Sequence, residues 1–128
     1  MRAIDTNVVI RFLTGDHPEQ SAQARALIGA HDVFVSTTVI LESAWVLRRS
    51  YGLSPGNVCR ALRAFAGLPG VTLENPTLVS AALDNAEAGM DIADALHLGA
   101  AGHCETMLTF DRSFIKAAAG SPTKVEAP

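Results

Sequence analysis

The chain has 128 residues, a net charge of −3, 48% hydrophobic residues and a mean hydropathy of +0.23. This length suits one domain with a real core, and the composition excludes a disordered chain. No uncharged run approaches the roughly 18 residues that a membrane span needs, and Asp5 interrupts any leader starting at Met1, so a cytoplasmic protein is expected, with Cys59 and Cys104 as reduced thiols.

Ala3-Ile4 is a short apolar run that ends at Asp5 and predicts a first strand. Residues 7–13 predict a short helix stopped by Gly15. Pro18 opens a second helix through Ile28, with Gly29 near its end. Val33-Phe34-Val35 is β-branched and aromatic, hence a strand. Thr37 or Thr38 can cap a long helix to about Arg49, ended by Gly52. Ser54-Pro55 starts a helix in which Val58, Leu62 and Phe65 recur at i, i+4 and i+7. A strand follows at 71–73, a helix at 76–88 broken by Gly89, and a helix at 91–101 ended by Gly102. Residues 106–109 predict a strand, 112–119 a helix and 124–126 a last strand. Strands separated by helices imply a parallel sheet covered on both faces. Ligands then bind at the carboxyl ends of the strands.

Carboxylates fall where an interior is expected. Asp5 ends the first strand and can be either a site acid or a helix N-cap. Glu42 lies in Thr38-Val39-Ile40-Leu41-Glu42-Ser43-Ala44-Trp45-Val46-Leu47, apolar nearly all round, so it is expected to be largely buried. Buried glutamate needs a metal or a cation partner. Arg48 and Arg49 are the nearest cations, but Arg49 is roughly 10 Å along the helix axis. Asp91 and Asp94, in Asp91-Ile92-Ala93-Asp94-Ala95-Leu96-His97, share a helix face. Asp91 is expected mainly as the N-cap, and Asp94 as a first-turn acid or a carboxylate facing inward. Asp111 follows Met107-Leu108-Thr109-Phe110 at a strand end, as site acid or N-cap. Asp5, Glu42, Asp94 and Asp111 in one crevice would repel one another without a cation. An all-oxygen set of this charge suits Mg²⁺ or Mn²⁺. No zinc set competes: His97 is expected to pack beside Asp94, and His103-Cys104 has no companion pair.

Four segments, in this order, resemble the PIN-domain family and within it the VapC-type toxins: Ile4-Asp5-Thr6-Asn7, Thr38-Val39-Ile40-Leu41-Glu42, Asp91-Ile92-Ala93-Asp94-Ala95-Leu96-His97 and Leu108-Thr109-Phe110-Asp111. The resemblance implies one domain over residues 1–128, a three-layer α/β/α fold around a parallel sheet of four or five strands. It implies that Asp5, Glu42, Asp94 and Asp111 form a metal site, with Thr6, Asn7, Asp91 and Thr109 in support. It further implies Mg²⁺- or Mn²⁺-dependent hydrolysis of RNA, a homodimer, and a small antitoxin that holds the enzyme inactive. The antitoxin is expected to dock beside the helices at 38–49 and 54–65 and to send a basic side chain among the acids.

The acidic balance does not exclude a phosphodiester substrate. Setting four acids of 13 aside leaves 9 against 10 bases, eight of them arginine. Arg11, Arg48, Arg49 and Arg112, each near a site acid in sequence, are candidates for phosphate contacts. Two other readings are a PIN-fold protein that binds RNA or a partner without cutting, and a metal-dependent phosphatase. The phosphatase class usually carries an Asp-x-Asp nucleophile pair, where this chain reads Asp5-Thr6-Asn7.

Overall fold

Hydrogen bonding sorts five short strands into two parallel ladders. The computed structural model describes residues 1–128, which form two compact units, Met1–Pro76 and Thr77–Pro128. The first unit runs β1 (Arg2–Ala3), α1 (Thr6–Thr14), α2 (Pro18–Ala30), β2 (Val33–Val35), α3 (Thr37–Arg49), α4 (Pro55–Ala66) and β3 (Val71–Leu73). The second runs α5 (Pro76–Glu87), α6 (Ile92–Ala100), β4 (Thr106–Leu108), α7 (Arg112–Ala117) and β5 (Lys124–Glu126). The expected parallel strands are all present and the chain has the α/β fold read from its sequence, but they hydrogen-bond as ladders of three and two strands where one sheet of four or five was expected.

In the first unit the order is β1-β2-β3, with Ala3 opposite Phe34 and Phe34 opposite Thr72. The ladder extends beyond the strands through Ile4 N–H to the Phe34 carbonyl (3.0 Å) and Glu74 N–H to the Val35 carbonyl (2.9 Å). Each crossover is a helix pair, because a parallel return needs a long connection. α1 packs on α2 and α3, and α3 on α4. The core holds Val9, Ile10, Val33, Val35, Ile40, Leu47, Val58, Leu62 and Phe65, all essentially without exposure. The Phe65 ring meets Phe12 edge-on, with centroids 5.7 Å apart. In the second unit β4 pairs with β5, Met107 opposite Val125, and α7 packs on β5. Phe114 and Val125 are buried there.

Several helix boundaries differ from expectation by one or two residues, α7 for instance ending at Ala117 rather than Ala119, and two of the differences have a clear local reason. Ser36 caps α3, rather than Thr37 or Thr38, its hydroxyl accepting from Val39 N–H at 3.2 Å. α2 runs through Gly29 to Ala30, since Gly29 has no left-handed turn to make and the positive-φ glycines are Gly15, Gly52, Gly89 and Gly120. Gly15 does end α1, at φ 67°. No helix is long and apolar enough to cross a membrane. Neither Cys59 nor Cys104 is in a disulfide.

Candidate functional site

In the first unit, β1 gives way to buried Ile4 and then to exposed Asp5. Asp5 caps α1: its Oδ1 accepts from Val8 N–H at 3.3 Å. Its Oδ2 takes no part in the cap. Thr6, buried at the first position of α1, donates its hydroxyl to Glu42 Oε1 on α3. Two crossover helices are thereby tied together at one carboxylate. Asn7 is exposed and outside this bond.

Glu42 is exposed, not buried as its apolar neighbours imply. α3 buries one side only, through Ile40, Ser43, Ala44 and Leu47. Its other apolar residues are left half-covered or, at Trp45, 59% exposed. An apolar helix therefore does not force every side chain inward, and Glu42 needs no buried cation.

In the second unit, Asp91, Asp94 and Asp111 line one cavity of about 420 Å³, together with Gly89, Ser113, Phe114 and Ala117. Asp91 is the N-cap of α6, its Oδ1 accepting from Asp94 N–H at 3.1 Å. Asp111 is the N-cap of α7, its Oδ1 accepting from Ser113 N–H (2.9 Å) and Phe114 N–H (3.2 Å). Thr109 orients that turn, its Oγ1 accepting from Asp111 N–H at 3.0 Å. Asp5, Asp91 and Asp111 are all caps, and each cap uses one carboxylate oxygen. The same bond that closes a helix end fixes the direction of the second oxygen, so capping and ligation do not compete.

Asp94 is half-buried in the first turn of α6 and makes no hydrogen bond through its carboxylate. Its pKa is raised above the ordinary carboxylate value, first by burial and then by the charges of Asp91 and Asp111, while His97 opposes the shift. Three acids on one cavity, one of them resisting ionisation, make a site short of a cation.

No group of three or more His, Cys, Asp or Glu side chains is arranged to hold a metal ion directly. The donor chemistry still fits Mg²⁺, which keeps several of its waters and takes only one or two carboxylates from a protein. The cavity supplies oxygen donors alone, with neither cysteine nor histidine in its lining.

The four candidate arginines divide. Arg11 is engaged within the first unit, Nε donating to Gln20 Oε1 (2.9 Å) and Nη1 to Asp16 Oδ1 and the Tyr51 hydroxyl (both 3.3 Å). Tyr51 donates in turn to Asp16 Oδ2 at 2.6 Å. The Tyr51 and Thr14 hydroxyls and then Arg11 hold the Asp16 carboxyl below its ordinary pKa. Arg48 donates to the Leu53 carbonyl at 3.3 Å past the end of α3. Arg49 and Arg112 are exposed and make no hydrogen bond or ion pair. The residues that sequence reasoning missed here are Asp16 and Tyr51, 35 positions apart; no local pattern announces such a pair.

The family model for the PIN domain matches residues 3–120 of this chain. No curated protein matches it.

Proposed function

The chain belongs to the PIN-domain family, whose members are generally metal-dependent nucleases acting on nucleic acid, and on that premise we propose that it is a Mg²⁺- or Mn²⁺-dependent endoribonuclease of the cytoplasm. The proposed ligands are Asp5, Glu42, Asp94 and Asp111. The single observation that carries the reading is the placement of the Asp91, Asp94 and Asp111 carboxylates on one cavity, where burial and the like charges raise the pKa of Asp94. A divalent cation relieves that repulsion. The family match runs through both units, which supports reading residues 1–128 as one domain.

When bound, the metal lowers the pKa of water and neutralises charge developing at the leaving oxygen. The chain's own residues do the rest. Backbone N–H groups of α1 and α7 hold one oxygen each of Asp5 and Asp111 and so aim the other. The Thr6 hydroxyl fixes the Glu42 carboxylate. Glu42 or Asp111 accepts the proton of the attacking water. Arg49 and Arg112, unpaired, meet the phosphates, whereas Arg11 and Arg48 are held in structural bonds.

The finer part of the proposal is that this enzyme is the toxin of a toxin–antitoxin pair and forms a homodimer, as the VapC-type resemblance implies. A small antitoxin would then place a basic side chain among the acids in place of the metal. A short reading frame beside the gene, whose product co-purifies with this chain and stops its activity, is the expected finding.

A gel assay decides the activity. The protein is expected to cut a short single-stranded RNA in Mg²⁺, to stop in EDTA, and to leave a phosphomonoester untouched. Hydrolysis of the phosphomonoester alone supports the phosphatase reading, and RNA binding without cutting supports the non-catalytic one.

A further inference from the structure

Seven aromatic side chains are present, and two of them, Trp45 and Phe110, are strongly exposed, at 59% and 87%. Burial of an aromatic ring is worth a great deal to a fold, so a chain that leaves two uncovered has another use for them. Both stand in the same kind of neighbourhood. In the first unit, Thr38, Glu42, Trp45 and Arg49 follow one another at i, i+4, i+7 and i+11 on α3 and form one exposed stripe. Trp45 is one turn beyond Glu42, about 4.5 Å along the axis, and Arg49 is one turn beyond Trp45. In the second unit, Phe110 precedes Asp111 in the turn between β4 and α7, and Arg112 follows. Each unit thus sets an exposed aromatic ring within one helical turn or one residue of a proposed ligand acid, with an unpartnered arginine beside the ring: Arg49 one turn past Trp45 and two turns past Glu42, and Arg112 next to Asp111.

We propose that Trp45 in the first unit and Phe110 in the second are base-stacking residues, each receiving an unpaired base of single-stranded RNA while the arginine beside it, Arg49 or Arg112, meets the adjoining phosphate. This rests on the ribonuclease reading and deepens it by naming what holds the substrate. A ring without a polar pocket around it reads the π-face that every base has, so the grip is sequence-tolerant. A base in a duplex is already stacked and cannot use it. The arginines choose between occupants: a polyanion gains from an unpaired guanidinium beside each ring, whereas an apolar protein face would have to strip or bury it.

Trp45 is the sole tryptophan, so intrinsic fluorescence reports on that residue alone. Titrating the Asp94→Asn protein in Mg²⁺ with a short single-stranded RNA is expected to quench it to saturation, and the same sequence as a duplex is expected not to. In the cleavage assay, Trp45→Ala and Phe110→Ala are each expected to raise KM by roughly tenfold with kcat little changed, and Trp45→Phe to restore most of the loss. Cleavage by wild type with no quenching, and with KM unmoved in both alanine variants, overturns the stacking role. So does a result in which Trp45→Ala changes only self-association or capture of a co-expressed protein. Quenching by single-stranded RNA in a wild-type protein that cuts nothing keeps the stacking role and removes the ribonuclease reading instead.

Discussion

Asp94→Asn is expected to abolish detectable RNA cleavage in Mg²⁺, and Asp5→Ala to do the same, with far-UV circular dichroism unchanged. Asparagine keeps the shape of Asp94 and removes the charge, and the carboxylate has no hydrogen bond to lose. Asp5→Ala does give up a helix cap, about 1 kcal/mol, which a folded domain of this size tolerates. Loss of an outer-shell partner of a metal typically costs about 10–100-fold, and a direct ligand must cost more. Thr6→Val provides the graded control: it removes the hydroxyl that orients Glu42 and is expected to fall within that 10–100-fold range. Wild-type turnover by Asp94→Asn or Asp5→Ala would remove that residue from the site.

The second large effect is on stability, and its sign is opposite to the effect on activity. In metal-free protein, Asp94 has a folded-state pKa above its unfolded value. Such an acid binds its proton more tightly when folded, so stability falls as pH rises through the unfolded pKa and the full penalty is present once pH exceeds the folded pKa. The attraction of the α6 N-terminus for a first-turn acid works the other way, at about 0.3–1 kcal/mol, but the direction of the shift says that burial and the like charges prevail. At neutral pH in EDTA, Asp94→Asn is therefore expected to melt above wild type, and the gap to close as the pH falls below 3.8, the ordinary aspartate value. Mg²⁺ or Mn²⁺ at a hundredfold excess over Kd is expected to stabilise wild type by about 2.7 kcal/mol, on the order of 10 °C in Tm, and Asp94→Asn much less. A variant that melts clearly below wild type in EDTA would make Asp94 a structural first-turn acid.

Much of this fold was legible in the sequence because local chemistry decides it. Pro18, Pro55 and Pro76 each stand at the first position of a helix, and Val33-Phe34-Val35 forms its strand as composition implies. The capping roles open to Asp5, Asp91 and Asp111 are all realised. What was not legible depends on how far a face is covered. The apolar run around Glu42 reads as a buried helix, yet packing covers one side of α3 and leaves Glu42 and Trp45 outside. Arg11 looks like a free cation beside a site acid, and only folding brings Asp16 and Tyr51 to it. The exposure of Phe110 was equally invisible, since a strand end flanked by Leu108 and Asp111 gives no sign of which residues the chain will cover.

Calorimetric titration of the full chain with Mn²⁺ tests the central claim most directly, because it asks whether the chain's carboxylates bind a divalent metal independently of any substrate. Wild type is expected to bind with a measurable heat. Asp94→Asn and Asp111→Asn, whose carboxylates line one cavity of the second unit, are each expected to weaken that event by tenfold or more, in keeping with the cost of disturbing a metal's ligands. Unchanged Mn²⁺ affinity in either variant would contradict the account.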